Sequence, residues 1–405
     1  MDLPSLALRN VLRNRTRTLL TMGAIALGVA GLVVVGGFVE DLFAQLAEAT
    51  VHSQLGHIQV YRKGYFEFGA QQPTRYVMDA PAEVDAALRQ VPGVSDALHR
   101  LNFQALLGSG RADWAVLGEG GEPDKESRLG TFVTYTEGRA LAAGDRLGMV
   151  VGRGVARALR LRVGDSVNLI VSAEGGAVNS LEFDVVGIFR TFSKEYDDRA
   201  VRIPLAAAQE LMDTRAVNAI VVTLAETRGT DVAAARLAAL LPAGRYDVKR
   251  WNELSDFYEK TVRLFDRQFF VMNIIILAMV LLSALNAINL TYFERTGEFG
   301  TMLALGNSGR TLFRLLMLEN VLLGFLGAAA GVVVGTLAAI VLSAAGIPMP
   351  PPPNSDVGYV ALVRIVPAVV GMAFAVGVAA VAIAGTGPAL RASRLDIAEA
   401  LRQRN

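Results

Sequence analysis

Hydrophobic positions fall into two regimes along this chain. In four places they run uncharged for about the 20 helical residues that a bilayer core of roughly 30 Å requires. These runs are residues 19–39 (LLTMGAIALGVAGLVVVGGFV), 268–293 (with FFVMNIIILAMVLLSALNAINL), 321–345 and 365–389. They predict membrane-spanning helices at 18–40, 267–293, 314–345 and 363–388. Ala47-Glu48-Ala49 faintly resembles a leader-cleavage site, but the first run is longer than a leader's apolar segment and the site lies beyond its end, which predicts a retained span.

Between the first two runs the pattern changes. Alternating, β-rich stretches such as GHIQVYR, DSVNLIVS and LEFDVVGIFRTF are separated by Gly and Asp turn signals. PAEVDAALRQV, GRGVARALRL, PLAAAQELM and DVAAARLAALL carry helical periodicity. Residues 41–266 therefore predict a folded mixed domain, with a smaller lobe near 70–130 or 205–247. At its borders Phe43, Leu46, Ala47 and Val51, then Trp251, Leu254, Tyr258, Val262, Phe265 and Phe269, recur every three or four residues. No Pro or Gly interrupts either join, so both spans are expected to continue outward as amphipathic stalks, paired with each other, with the domain or with a partner.

Arginine placement sets the orientation. Arg9, Arg13, Arg15 and Arg17 precede the first span, Arg295, Arg310 and Arg314 lie between the second and third, and Arg391, Arg394, Arg402 and Arg404 follow the fourth. The segment 346–362 has no basic residue. Residues 1–17, 294–313 and 389–405 are accordingly placed inside, with both termini cytoplasmic, and 41–266 and 346–362 outside. Leu3, Leu6, Ala7 and Val11 give segment 1–17 an apolar face suited to the inner membrane surface. The fold class expected is an α-helical membrane protein with four transmembrane helices plus a large α+β periplasmic domain between spans one and two.

Composition narrows the chemistry. Only 19% of the 405 residues are charged against 52% hydrophobic. That is too little charge to cover a soluble protein of this size. A net charge of +1 gives no global attraction to nucleic acid. The absence of cysteine excludes thiol catalysis, disulfides and thiolate metal sites. No Gly-Lys pair occurs, so there is no GxxxxGK[ST] phosphate loop and any ATP would be bound by another chain. GxSxG, HExxH and paired intramembrane aspartates are absent too, which disfavours a membrane protease. The three histidines are His52, His57 and His99; His52 and His57 are five apart, off one helical face, and read as ordinary polar positions, and EYDDR (195–199) reads as a solvated turn. Glu319 opens the third span, where an ionisable group needs a partner, with Arg314 and Asn320 nearest in sequence. Gly327, Gly331 and Gly335, at four-residue spacing, permit close helix packing.

The cytoplasmic stretch FERTGEFGTMLALGNSGRT holds a short apolar helix, 301–305, ended by Gly306-Asn307. Met302, Leu303 and Leu305 on display at a membrane face need a cover. Two covers remain: the chain's own spans with the lipid interface, or a cleft in a cytoplasmic partner.

LALRNVLRNRTRTLLTMGAIALGVAG (6–31), ERTGEFGTMLALGNSGRTLFRLLMLENVLLGFLGAAAGVVVG (294–335) and GPALRASRLDIAEALR (387–402) together resemble the permease family of MacB, LolC/LolE and FtsX, partners of an ABC-type ATPase. TEGRALAAGDRLGMVVGRGVARALRLRVGDSVNLIV and FDVVGIFRTFSKEYDDRAVRIPLAAAQELM resemble the family's periplasmic core. Leu303-Ala304 departs from a frequent Arg-Ala, and Asp396-Ile397 from a frequent Asp-Pro. The resemblance implies a bacterial inner-membrane subunit without a cofactor of its own, ATP and Mg being held by the partner ATPase, working as a dimer with a second permease copy or homologue. It places the coupling element at 298–310, with Met302, Leu303 and Leu305 as anchors in an ATPase groove and Glu298 and Arg310 at its rim. Stalk residues Phe43, Leu46, Trp251, Tyr258 and Phe265 would relay motion to the periplasmic domain (mechanotransmission). The layout and the GHIQVYRKGY stretch are most similar to the LolC/LolE branch, so lipoprotein cargo is expected. Export of a drug or peptide, or FtsX-like activation of a cell-wall hydrolase, are the alternatives.

Overall fold

The computed structural model describes residues 3–13, 15–69, 76–172, 177–351, 355–356 and 358–395. The end of the tail, with Asp396-Ile397, Arg402 and Arg404, lies outside them. In chain order the first elements are α1 (Leu3–Arg13), α2 (Arg15–Thr50), a π-helical turn (Val51–Leu55), β1 (Ile58–Arg62), a second π-helical turn (Tyr65–Gly69) and α3 (Ala82–Leu88). Next come β2 (Val94–Gly108), β3 (Asp113–Gly121), α4 (Pro123–Leu129), β4 (Thr134–Gly138), β5 (Gly148–Gly152) and α5 (Arg153–Leu159). β6 (Ser166–Ser172), β7 (Val178–Arg190), α6 (Lys194–Asp197), β8 (Ala200–Pro204), α7 (Leu205–Leu211) and β9 (Ala219–Leu224) follow. The rest are α8 (Thr230–Leu240), β10 (Tyr246–Arg250), α9 (Trp251–Leu254), α10 (Asp256–Glu294), α11 (Thr296–Ala304), α12 (Gly309–Ala345), β11 (Ile347–Met349), β12 (Tyr359–Ala361) and α13 (Pro367–Ser393). The chain divides into two compact units.

One unit comprises residues 1–44, 262–349 and 360–405. It contains the long apolar stretches of four helices, each long and apolar enough to cross a membrane. Its centre joins Ile25, Val29 and Val33 of α2 to Ala284 and Ile288 of α10, Ala328 of α12, and Ala373, Val381 and Ala384 of α13. Alanines alternate there with Val and Ile, and glycines mark the closest approaches, because in lipid helices associate through close backbone contact. A Cβ added at Gly331 would lie 2.7 Å from the Ala26 carbonyl oxygen and from Val29 Cβ, so only glycine allows this approach. Gly327 and Gly335 face Ile25 and Ala30 of α2 in the same way. Large apolar side chains such as Leu27, Phe270, Met279 and Met372 stay exposed on the outside, the reverse of a soluble bundle. At the α2 exit, buried Asp41 accepts from Arg364 Nε at 2.8 Å and from the Leu362 amide at 3.1 Å.

The other unit, residues 45–261 and 350–359, is an α/β domain. Its sheet has ten strands in the order β10-β1-β9-β2-β3-β8-β5-β7-β4, with β6 pairing β2 and β7. Most pairs are antiparallel, but β3–β8 and β5–β7 are parallel and need crossovers. One core gathers Leu101, Phe103, Leu107, Leu169 and Phe183 under α5 and α7. A second gathers Ile58, Val60, Val84, Leu88, Ile220, Val222 and Leu237. The smaller lobe expected at either 70–130 or 205–247 is thus built from both ends of the domain at once, because β9 sits between β1 and β2.

The two stalk expectations fare differently. α2 runs unbroken to Thr50 and then widens into its π-helical turn. That turn ends at Gly56 (φ +63°), where a left-handed residue is needed. On the other side the continuous helix expected from Trp251 is corrected: Ser255 (φ −104°, ψ 86°) breaks it. Its hydroxyl accepts from the Tyr258 amide at 3.1 Å, starting α10 afresh.

Candidate functional site

α10 ends at Glu294 and α11 begins two residues later, so the stretch between spans two and three is a helical corner. With no proline in ERTGEFGTMLA, the helical hydrogen bonds resume at once, and the Phe299 amide bonds the Arg295 carbonyl at 3.1 Å. The helix expected at 301–305 is therefore longer, Thr296–Ala304. It ends in a Schellman motif. The Asn307 amide bonds the Met302 carbonyl (3.2 Å), the Gly306 amide bonds that of Leu303 (3.0 Å), and Gly306 takes φ +89°. Ser308 Oγ then caps α12 by accepting from the Thr311 amide at 3.3 Å.

The corner is held by an ion-pair knot. Arg295 is buried; its guanidinium donates to Glu319 at 2.7 Å and to Glu298 at 3.0 Å. Glu319, also buried, accepts from Asn10 Nδ2 at 2.6 Å, and Arg13 pairs with Glu298. Ala7 and Val11 of α1 are buried as well, so α1 is pinned to α11 and α12 by polar and apolar contacts together. Burial opposes the charge on Glu298, but Arg295 and Arg13 outweigh it and hold its carboxyl below the usual range. The partner of Glu319 is thus Arg295, not Arg314. The sequence shows the need for a partner but not its identity, because residues 295 and 319 meet only once α11 folds back.

The expected anchors separate. Phe299 is buried against Leu312, Leu316, Ala389 and Ala392, and Met302 and Leu303 pack partly against that same cluster. Leu305 is 79% exposed, and Arg310 is exposed as well. Of the two covers open to Met302, Leu303 and Leu305, the chain's own cluster takes part of the first two, which brace the corner, and Leu305 projects. Glu298 is likewise engaged within the chain.

In the α/β domain a second polar site secures the end of the first stalk. Arg202 donates to the Ser53 carbonyl at 2.8 Å and Arg100 to the Gln54 carbonyl at 2.7 Å, both in the π-helical turn. Both guanidinia are buried: Glu126 grips Arg100 with two bonds of 2.8 Å, and Glu119 accepts from Arg202 at 3.2 Å and Tyr196 at 2.7 Å. Burial alone would lower the Arg100 pKa, but Glu126 and Glu119 raise it beyond the free value. The sequence does not reveal this quartet: Arg100, Glu119 and Glu126 lie on the successive elements β2, β3 and α4, but Arg202 comes from the distant β8. Trp251 packs on Ala47 and Val51, with its ring 4.5 Å from Tyr258 in an edge arrangement. Leu46 is buried and Phe43 half-buried, while Phe265 stacks on Phe269 at 6.0 Å.

His57 is held within the domain. His57 Nδ1 accepts from the Leu224 amide at 3.1 Å, and Nε2 lies 3.1 Å from Thr227 Oγ1. Burial, helped by His52, lowers its pKa to about 4. In the 195–199 turn, Asp197 is buried rather than solvated and accepts from the Thr191 amide and hydroxyl. Burial lifts its pKa to about 6 against those bonds. Among the described residues no group of His, Asp and Glu could hold a metal ion.

Four apolar helices around a shared apolar core, with a large α/β domain inserted between the first two, define a multi-pass membrane protein of permease architecture. Residues 18–240 match the family model for the MacB-like periplasmic core domain and residues 270–397 that for the FtsX-like permease C-terminal region. The chain belongs to this MacB- and FtsX-like family of ABC-transporter permeases. LolC of Neisseria meningitidis serogroup B, a lipoprotein-releasing system transmembrane protein, is 25% identical over 336 residues, 79% of this chain and 76% of the relative. LolE of Haemophilus influenzae, similarly named, is 21% identical over 333 residues, again 79% and 76%. The macrolide export ATP-binding/permease protein MacB of Shigella boydii is 25% identical over 415 residues, covering 98% of this chain but 60% of that protein's length.

Proposed function

We propose that this chain is the membrane subunit of an inner-membrane ABC transporter that converts ATP hydrolysis on a separate cytoplasmic ATPase into movement of its periplasmic domain, releasing lipoproteins. The observation that carries this reading is the braced corner. Arg295, Glu319, Asn10, Arg13 and Glu298 fasten α11 to α1 and α12, and one large apolar residue, Leu305, is left projecting beside exposed Arg310. An apolar tip on a stiff support can fill a partner's groove and carry force without bending. An ATPase on another chain, with ATP and Mg bound there, is supported by the likeness to LolC and LolE, which are named as the transmembrane proteins of a releasing system. Lipoprotein cargo is supported by the likeness to LolC and LolE along 79% of this chain. The working unit on this reading is a dimer with a second copy or a homologue, with both termini cytoplasmic.

The test is reconstitution with the ATPase and release of a labelled lipoprotein from proteoliposomes. Leu305→Glu is expected to leave the melting temperature unchanged while abolishing permease-dependent ATPase stimulation and release. Leu303→Glu should also destabilise the chain. Full coupling by Leu305→Glu would reject the assignment.

A further inference from the structure

The α/β domain carries a concentration of positive charge that the coupling reading does not use. An open groove between α5, the turn after it, β4 and the end of β7 is walled by Arg153, Arg157, Arg160, Arg162 and Arg190, with Glu137 the only acidic lining residue. Among the described residues none of the five guanidinia has an ion-pair partner. In the same domain Arg100, Arg128, Arg139, Arg202, Arg245 and Arg250 are paired with carboxylates, while scattered arginines such as Arg89, Arg111 and Arg236 have no ion pair among the described residues; the groove differs in gathering five arginines on one lining. Five like charges lining one groove against a single carboxylate, Glu137, favour an external anion.

Three further features describe the ligand. Arg160 closes α5 in the left-handed region (φ 54°), the place where glycine or asparagine is favoured. A bulky residue kept in that strained position points to a use for its guanidinium. The floor is apolar, formed by Ala156, Leu161 and Ile188, all buried. Finally, β4 is the terminal strand of the sheet: Thr134, Tyr135, Glu137 and Gly138 pair with β7 on one side only, with a register shift at Thr136, and four of the five residues are exposed. A free strand edge beside a cationic groove offers backbone hydrogen bonds and charge together, which an extended peptide can use and a lipid headgroup or phosphate chain cannot.

We propose that this groove docks an extended acidic segment of a partner protein, its carboxylates held by the arginines and its backbone aligned along β4. The site is independent of the coupling corner, so the proposal stands whichever cargo the transporter carries.

The experiment is fluorescence anisotropy on the full chain in uncharged phosphatidylcholine nanodiscs, with a fluorescein-labelled dodecapeptide of alternating Glu and Thr. The expected result is binding at least about tenfold tighter than that of the Lys-for-Glu peptide, weakening as salt rises. N-methylation of alternate peptide amides should weaken it about fivefold, since backbone pairing is then blocked. Arg157→Glu with Arg160→Glu should weaken it at least about tenfold. Arg160→Gly, which relieves the backbone strain, should raise the melting temperature yet weaken binding about threefold. No binding, equal binding of the N-methylated peptide, or unchanged affinity in either variant would overturn the proposal. Tighter binding of sodium polyphosphate or of phosphatidylglycerol vesicles than of the peptide would do the same, by assigning the groove to phosphate.

Discussion

Removing the Arg295 side chain tests the corner most directly. Arg295→Ala leaves Glu319 with one donor, Asn10 Nδ2 at 2.6 Å, at a site where the carboxylate is only 6% exposed. A buried ion stripped of its partner costs about 3–5 kcal/mol, and the surviving charge-assisted bond recovers only part of that, so a loss of about 3 kcal/mol is expected. Glu319→Gln keeps one of the two oxygens, so either Asn10 or Arg295 loses its acceptor there, but Arg295 retains Glu298 at 3.0 Å. About 1.5 kcal/mol is expected there. With both charges gone no orphaned ion remains, and the double variant should cost about 2 kcal/mol less than the sum of the single ones. The measurement is far-UV circular dichroism during SDS titration of micellar protein. Tryptophan fluorescence cannot report on this unit, because both tryptophans, Trp114 and Trp251, lie in the α/β domain. Additive costs, or an Arg295→Ala loss below about 1 kcal/mol, would show that the knot is a surface pair of small worth.

A Cβ at Gly331 meets the Ala26 carbonyl oxygen and Val29 Cβ at 2.7 Å. Gly331→Ala should therefore cost about 1–3 kcal/mol in the same titration. Gly371→Ala, with nothing within 4 Å, should be neutral or stabilising, and equal costs at the two positions would contradict the packing argument. In the α/β domain the neutral form of His57 is favoured by folding, so its contribution is complete above pH 6.5 and declines as pH falls toward about 4. That drop corresponds to about 3 kcal/mol. Followed by tryptophan fluorescence, His57→Asn, whose oxygen can still accept from the Leu224 amide, should abolish that acid-side loss relative to the wild type. Asp197, lifted to about 6, titrates in the opposite sense over part of this range, so the difference between the two proteins is the quantity to compare. Parallel pH profiles for the two would contradict the assignment.

The spans were legible because uninterrupted apolar runs of that length rarely occur outside a bilayer, and the α/β insertion because its strands and helices carry distinct periods. The stalk break at Ser255 was not, since a serine is compatible with a continuing helix and its capping role emerges only when its hydroxyl meets the Tyr258 amide. Met302, Leu303 and Leu305 are equally apolar letters, and their separation into two braces and one projection depends on the Phe299 cluster behind them. Glu319 announced a need for charge compensation, but Arg295 supplies it through a helix turn that sequence spacing does not specify. The quartet of Arg100, Glu119, Glu126 and Arg202 left no local signal at all: each residue is an ordinary charge in an exposed-looking strand or helix until the sheet assembles around it.

The grip on the π-helical turn has a mechanical corollary. Arg100 sits on β2 and Arg202 on β8, and β3, which contributes Glu119, lies between them. Tension reaching Ser53 and Gln54 is therefore divided among three adjoining ribbons in the middle of the sheet, rather than unzipping one from its margin. Rupture would require several cross-strand ladders to fail together, so this fold should tolerate repeated tugging far better than a helix tethered to a single terminal strand.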